Sequence, residues 1–128
     1  MPEEKNFLEK LEDVLRGLFS NNPSITIATI SSAEGLPILS VLPRAFNETI
    51  ISAMVATLLS LSDRAVMEME IGEFNQLYIK GIDGYLLVFD ATPAVLAVSA
   101  TNKAKLGLLF LECERASLEI SKIFKEKE

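Results

Sequence analysis

Four arginines, one cysteine, two glutamates two residues apart and no histidine are the groups from which this 128-residue chain would have to build any chemistry. Without histidine it lacks the usual general base and the commonest metal ligand near neutral pH. Cys113 falls on an apolar helical stripe, where a thiol is a small buried hydrophobe rather than a nucleophile. Glu68 and Glu70 point in different directions on a helix and form no dyad. No Cys pair or acidic cluster has metal-ligand spacing. The glycines at 81, 84 and 107 make no phosphate-cradling loop, and no Gly-Lys-Ser/Thr sequence occurs. An inserted guanidinium can stabilise phosphoryl charge in trans, so Arg16, Arg44, Arg64 and Arg115 are the remaining candidates. The plainer reading makes them solvated: Arg64 beside Asp63, and Arg115 beside Glu114 with Glu112 three residues back, read as surface ion pairs. These residues argue against an enzyme, a metal site or a cofactor.

Composition narrows the alternatives. The net charge is −6, with 12 basic residues scattered among 18 acids, which argues against a nucleic-acid surface. A hydrophobic share of 49 % with 23 % charged residues is globular, and the length fits one domain over residues 1–128. A lone cysteine and an acidic start, "MPEEKNFLEK", suit a reducing cytoplasm. The run from Thr49 to Ser62 is fourteen residues without a charge, short of the roughly 18 that a membrane span needs.

The elements that must position these residues follow from periodicity. Phe7, Leu8, Leu11, Val14, Leu15, Leu18 and Phe19 mark one stripe of a helix from Glu3 to Phe19, broken by "SNNP". "SITIATIS" (Ser24 to Ser31) and "LPILSVLP" (Leu36 to Pro43) flank the turn "SAEG" as a hairpin, with the proline-bounded strand at a sheet edge. A long helix spans Glu48 to Ile71, capped by Asn47 and stopped by Gly72. Strands follow at Phe74 to Lys80, Tyr85 to Ala91 and Ala94 to Ala100, separated by "GIDG" and "TP". The last two are nearly continuous apolar runs, which implies a sheet covered on both faces. A final helix from Lys103 to Lys125, capped by Thr101 or Asn102, carries the stripe Leu106, Leu109, Phe110, Cys113, Ile120, Ile123 and Phe124. The order is α-β-β-α-β-β-β-α: an α/β chain with a five-stranded antiparallel sheet in a three-layer α/β/α domain.

Winding the long helix at about 100° per residue gives two apolar lines. Ile50, Met54, Leu58, Leu61 and Ala65 form the expected seam against the sheet. Val55, Leu59, Ser62 and Val66 form a second line. One stripe suffices for a lone surface helix, so the second means either that the sheet curls around the helix or that a second copy of the chain packs there, and the second copy is the favoured reading.

Together with that order, "EGLPI" (Glu34 to Ile38), "LLSLSDRAVMEM" (Leu58 to Met69) and "AKLGLLFLECERASLEI" (Ala104 to Ile120) resemble the Roadblock (dynein light chain) family, its prokaryotic GTPase-regulator members above all. The resemblance implies a profilin-like or longin-like architecture. It also implies a dimer with itself or a Roadblock paralogue, made by side-by-side second helices and joined third strands. Carried onto this chain, it assigns the interface to Val55, Leu59, Ser62 and Val66 of the helix and to Asn75, Leu77 and Ile79 of the strand, whose Asn75, Gln76 and Lys80 suit an edge. It implies binding of a small Ras-like GTPase across the paired helices, at Ala56, Ser60, Asp63, Arg64 and Met67. Family members either scaffold or organise the GTPase's own machinery without a reliable inserted arginine. On this reading Leu59→Glu separates the dimer and leaves a folded monomer. The alternative is a small-molecule sensor of profilin-like or PAS-like architecture, with a pocket near "SAEGLPILS".

Overall fold

The chain, described here by a computed structural model over residues 5–127, folds in the expected order. Its elements are α1 (Phe7–Asn21), β1 (Ile25–Ser32), β2 (Pro37–Val41), α2 (Glu48–Glu68), β3 (Gln76–Lys80), β4 (Gly84–Ala91), β5 (Ala94–Thr101) and α3 (Leu106–Lys127). The strands lie in the order β2-β1-β5-β4-β3 and every neighbouring pair is antiparallel. β2, which begins at Pro37, is one edge, as its prolines require, and β3 is the other.

Alternation along the strands divides the sheet into two faces. Leu87 and Phe89 of β4, Leu96 and Val98 of β5 and Ala28 and Ile30 of β1 pack with Leu11, Leu15 and Leu18 of α1 and Leu109, Cys113 and Ile120 of α3. Each fully buried Leu, Ile or Phe contributes about 1.5–3 kcal/mol, so this layer dominates the stability. Val88, Val95 and Ala97 face the other way and meet Val55 of α2. β5 is therefore buried on both sides, as its unbroken apolar run predicts.

The helix ends depart from the sequence reading in instructive ways. Asn6 Oδ1 accepts the Glu9 N–H and Asn6 Nδ2 donates to Glu9 Oε1, so α1 starts at Phe7; an earlier start at Glu3 lies outside the described residues. α1 also runs on through Ser20 to Asn21, because Asn22 closes it by donating its N–H to the carbonyls of Leu18 and Phe19. α2 stops at Glu68 rather than Ile71. The Ile71 N–H donates to Val66 O and the Glu70 N–H to Met67 O, with Glu70 at φ 54, a left-handed cap filled by glutamate and not by Gly72. α3 begins at Leu106, since Thr101 to Ala104 makes a turn of its own and the Asn102 N–H donates to Asp83 O.

Two glycines are required by their surroundings. A Cβ on Gly84 would stand 2.3 Å from the Ala100 carbonyl oxygen. Gly35, at φ +95, brings the β1–β2 turn against α2, where a Cβ would stand 3.2 Å from Ala56 Cβ and 3.3 Å from Ala53 Cα.

Candidate functional site

α2 is the most exposed of the long elements: of its 21 residues only Ser52 and Val55 are fully buried. Asn47 Oδ1 accepts the Ile50 N–H and sets the start of the helix as expected. The line that lies on the sheet, however, is the second one. Val55 has 0 % exposure and sits on Val88, Val95 and Ala97, with Leu59 packed against the same cluster and Ser62 and Val66 half-buried along that line. Ile50, Met54 and Leu61, the expected seam, are 65 %, 47 % and 62 % exposed. The reason is steric. Gly35 lies against Ala53 and Ala56, and Thr29, Ser31 and Ala97 offer a floor of small side chains. The helix settles there on its small and β-branched line and turns its longer side chains away. Val55 therefore has no surface left for a partner, which corrects its place in the interface.

Orientation follows from the same contacts. Because Ala56 adjoins the β1–β2 turn, the flank bearing Ala56, Ser60, Asp63 and Met67 lies toward β2, and the flank bearing Ile50, Met54, Leu58, Leu61 and Ala65 lies toward β3. β3 is an edge strand with an unpaired outer side. Of its expected interface residues, Leu77 packs under α2 and Ile79 is exposed, while Asn75 stands just before the strand and accepts the Asp90 N–H through its carbonyl. An exposed apolar helix flank and an open strand edge thus lie side by side on one side of the molecule. On the other flank, Ser60, Asp63, Arg64 and Met67 are exposed and Ala56 is half-buried beside the turn.

The arginines carry no catalytic arrangement. Arg64 lies 3.9 Å from Glu68, not on Asp63, and Arg16 bonds Asp13 at 3.1 Å. Among the described residues neither Arg115 nor Arg44 makes an ion pair, so the expected Arg115 pairing is not formed. Burial, helped by the charge of Glu112, pushes the Cys113 thiol up to about 12. Asp13 is held below the usual carboxylate range, mainly by its hydrogen bond from Lys5. Among the described residues, no three His, Cys, Asp or Glu side chains gather to hold a metal ion.

Two cavities open on the α1/α3 side. One of about 460 Å³ lies between α1 and α3, floored by Val14, Leu18, Ala116 and Ile123; one of about 220 Å³ lies at the start of α3 beside Lys103 and Lys105. Under α2, the hydroxyls of Thr29, Ser31, Ser40 and Ser52 are buried without a protein hydrogen-bond partner. By length and composition α2 could cross a membrane, the one such helix among the described residues. An aromatic cluster escaped the sequence reading altogether. Tyr78 stacks on Tyr85 at 5.9 Å between centroids and meets Phe110 edge-on at 5.5 Å, on the sheet face opposite α2. The signal was present: Tyr78 alternates with Leu77 and Ile79, so it must point to the face that the long helix does not cover.

An α2 helix across one face of this five-stranded sheet, with α1 and α3 on the other, is the architecture of a Roadblock-type domain, and the chain belongs to the Roadblock/LC7 domain family, whose profile matches residues 11–100. No curated protein sequence matches the chain. Among solved structures, it is similar to the gliding protein MglB from Thermus thermophilus, with 19 % identity, a TM-score of 0.87, and 97 % of this chain and 95 % of that one covered. Similar also are Myxococcus xanthus MglB, at 22 % identity, TM-score 0.86, and 98 % and 95 % coverage, and an MglB with a tetrameric arrangement, at 17 % identity, TM-score 0.85, and 97 % and 94 % coverage. These neighbours share the fold including α3, which the family profile does not reach.

Proposed function

We propose that the protein is a non-catalytic cytoplasmic Roadblock module that pairs with a second copy of itself, or a paralogue, and regulates or scaffolds a small Ras-like GTPase. The observation that carries the dimer is the apolar flank Ile50, Met54, Leu58, Leu61 and Ala65, all exposed but the half-buried Leu58, beside the open edge of β3. Exposed leucine, isoleucine and methionine in one stripe mark association more often than decoration. If two α2 helices run antiparallel, Ile50 meets the small Ala65 of the second copy and Met54 meets its Leu61, large against small and long against long. The β3 strands then add edge to edge around Tyr78, which removes both open edges. The tetrameric MglB neighbour supports self-association as a habit of this fold.

The opposite flank, with Ser60, Asp63, Arg64 and Met67, then faces outward from both copies as the surface for the GTPase. Family membership supports this reading, and with no base or nucleophile of its own the module would act by positioning the partner's groups. Pull-downs with small GTPases of the same genome, loaded with GDP or a non-hydrolysable GTP analogue, test it. Retention that depends on nucleotide and is lost in Asp63→Lys is the expected result; no retention in either state would leave scaffolding alone.

The four unpartnered hydroxyls beneath α2 favour one second reading, a polar small-molecule site under that helix. A thermal-shift screen of small polar metabolites with no stabilising compound would remove it.

A further inference from the structure

We infer that the dimer carries a second docking site, on the sheet face opposite α2, that takes one amphipathic helix of a partner protein. The inference rests on the edge-to-edge pairing of β3 proposed above. α3 packs over β4 and β5 and leaves the same face of β3 open, where Tyr78 is 41 % exposed and Gln76 and Lys80 are exposed beside it. With strands about 4.8 Å apart, the midline of β4 and β5 lies about 9.6 Å from the axis that relates two joined β3 strands. The two α3 helices then stand about 19 Å apart, and packed helices sit about 8–10 Å from one another, so the slot between them has the width of one helix.

The chemistry of the slot specifies its occupant. The floor is the Tyr78 pair, each ring stacked on its own Tyr85, and each wall presents Phe110. Gly107 and Glu114, three residues before and four after Phe110, share that wall; a Cβ on Gly107 would have open space, with no atom beyond its own neighbours and helix backbone within 4 Å. Among the described residues neither Lys80 nor Glu114 makes an ion pair. In antiparallel pairing the two Lys80 residues lie about 14 Å apart along the slot. A fitting helix therefore carries an apolar stripe for the aromatic floor, basic flanks for Glu114, and carboxylates about seven or eleven residues apart, two or three whole turns, so that both lie on its floor-facing side and reach the lysines.

The protein reports on this site unaided, because it contains two tyrosines and no tryptophan, and both tyrosines belong to the cluster. The probe is a synthetic amphipathic peptide without Tyr or Trp, bearing that leucine stripe and glutamate spacing, titrated into the full chain while tyrosine emission is read. A scrambled peptide of equal composition serves as the control. The expected result is a saturable change at one peptide per two chains, about tenfold weaker in Lys80→Glu, as loss of a charged hydrogen bond requires. In Gly107→Leu, which fills the slot from its wall, the change should disappear. Light scattering on each variant separates the two levels. A monomeric wild type would overturn the dimer and the slot with it. A dimer that binds both peptides alike, binds neither, or takes one peptide per chain would overturn the slot alone.

Discussion

Cys113 illustrates how much a single residue's surroundings decide. Its thiol, raised to about 12 by burial beside Glu112, stays protonated at physiological pH and should resist maleimide in the native protein, then react fully in denaturant. Prompt labelling of native protein would mean that α3 is not seated as described. Asp13 gives the opposite kind of pH dependence. Its hydrogen bond from Lys5 lowers the folded pKa, so the stabilisation is complete above the unfolded carboxylate pKa and is lost as pH falls through the lower folded value. The urea midpoint of Asp13→Asn should therefore fall slightly below wild type near neutrality and converge with it in acid. At Gly84 the effect is steric: a methyl group 2.3 Å from the Ala100 carbonyl oxygen must push β4 from β5, and Gly84→Ala should cost about 1–3 kcal/mol in equilibrium unfolding.

The elements themselves were largely legible in the sequence, because each is marked by its own period and punctuation. The order of eight elements, the proline-bounded edge strand, the doubly buried β5 and the Asn47 cap all follow from local pattern. What local pattern could not resolve was rotation. Val55, Leu59, Ser62 and Val66 on one line, and Ile50, Met54, Leu58, Leu61 and Ala65 on the other, are equally good stripes by hydrophobicity. The choice between them was made by small residues distant in sequence, Gly35, Thr29, Ser31 and Ala97, which let the smaller line approach the sheet. The end of α2 was misplaced for a related reason. Glycine is the usual left-handed cap, and here Glu70 occupies that position at φ 54. Because a non-glycine residue pays about 1–2 kcal/mol for that conformation, Glu70→Gly should raise the unfolding midpoint; a fall would show that the glutamate side chain has a role of its own.

At the scale of the whole molecule, one apolar flank, one open strand edge and one aromatic floor gather at the β3 margin of the sheet, the flank on one face and the floor on the other, and a single event, pairing through α2 and β3, would cover the first two and pair the third. The partner residues were the least legible part of the sequence, since a surface for another chain has no period of its own. The most direct test is the mass in solution of three proteins: wild type, Leu61→Glu on the outer flank, and Leu59→Glu on the inner line. The expected result is a wild-type dimer, a Leu61→Glu monomer with native circular dichroism and a cooperative melt, and a Leu59→Glu protein whose melt is lowered by several degrees because a carboxylate is forced against Val88 and Val95. A well-folded Leu59→Glu monomer beside an unchanged Leu61→Glu dimer would contradict the central claim and return the interface to the inner line.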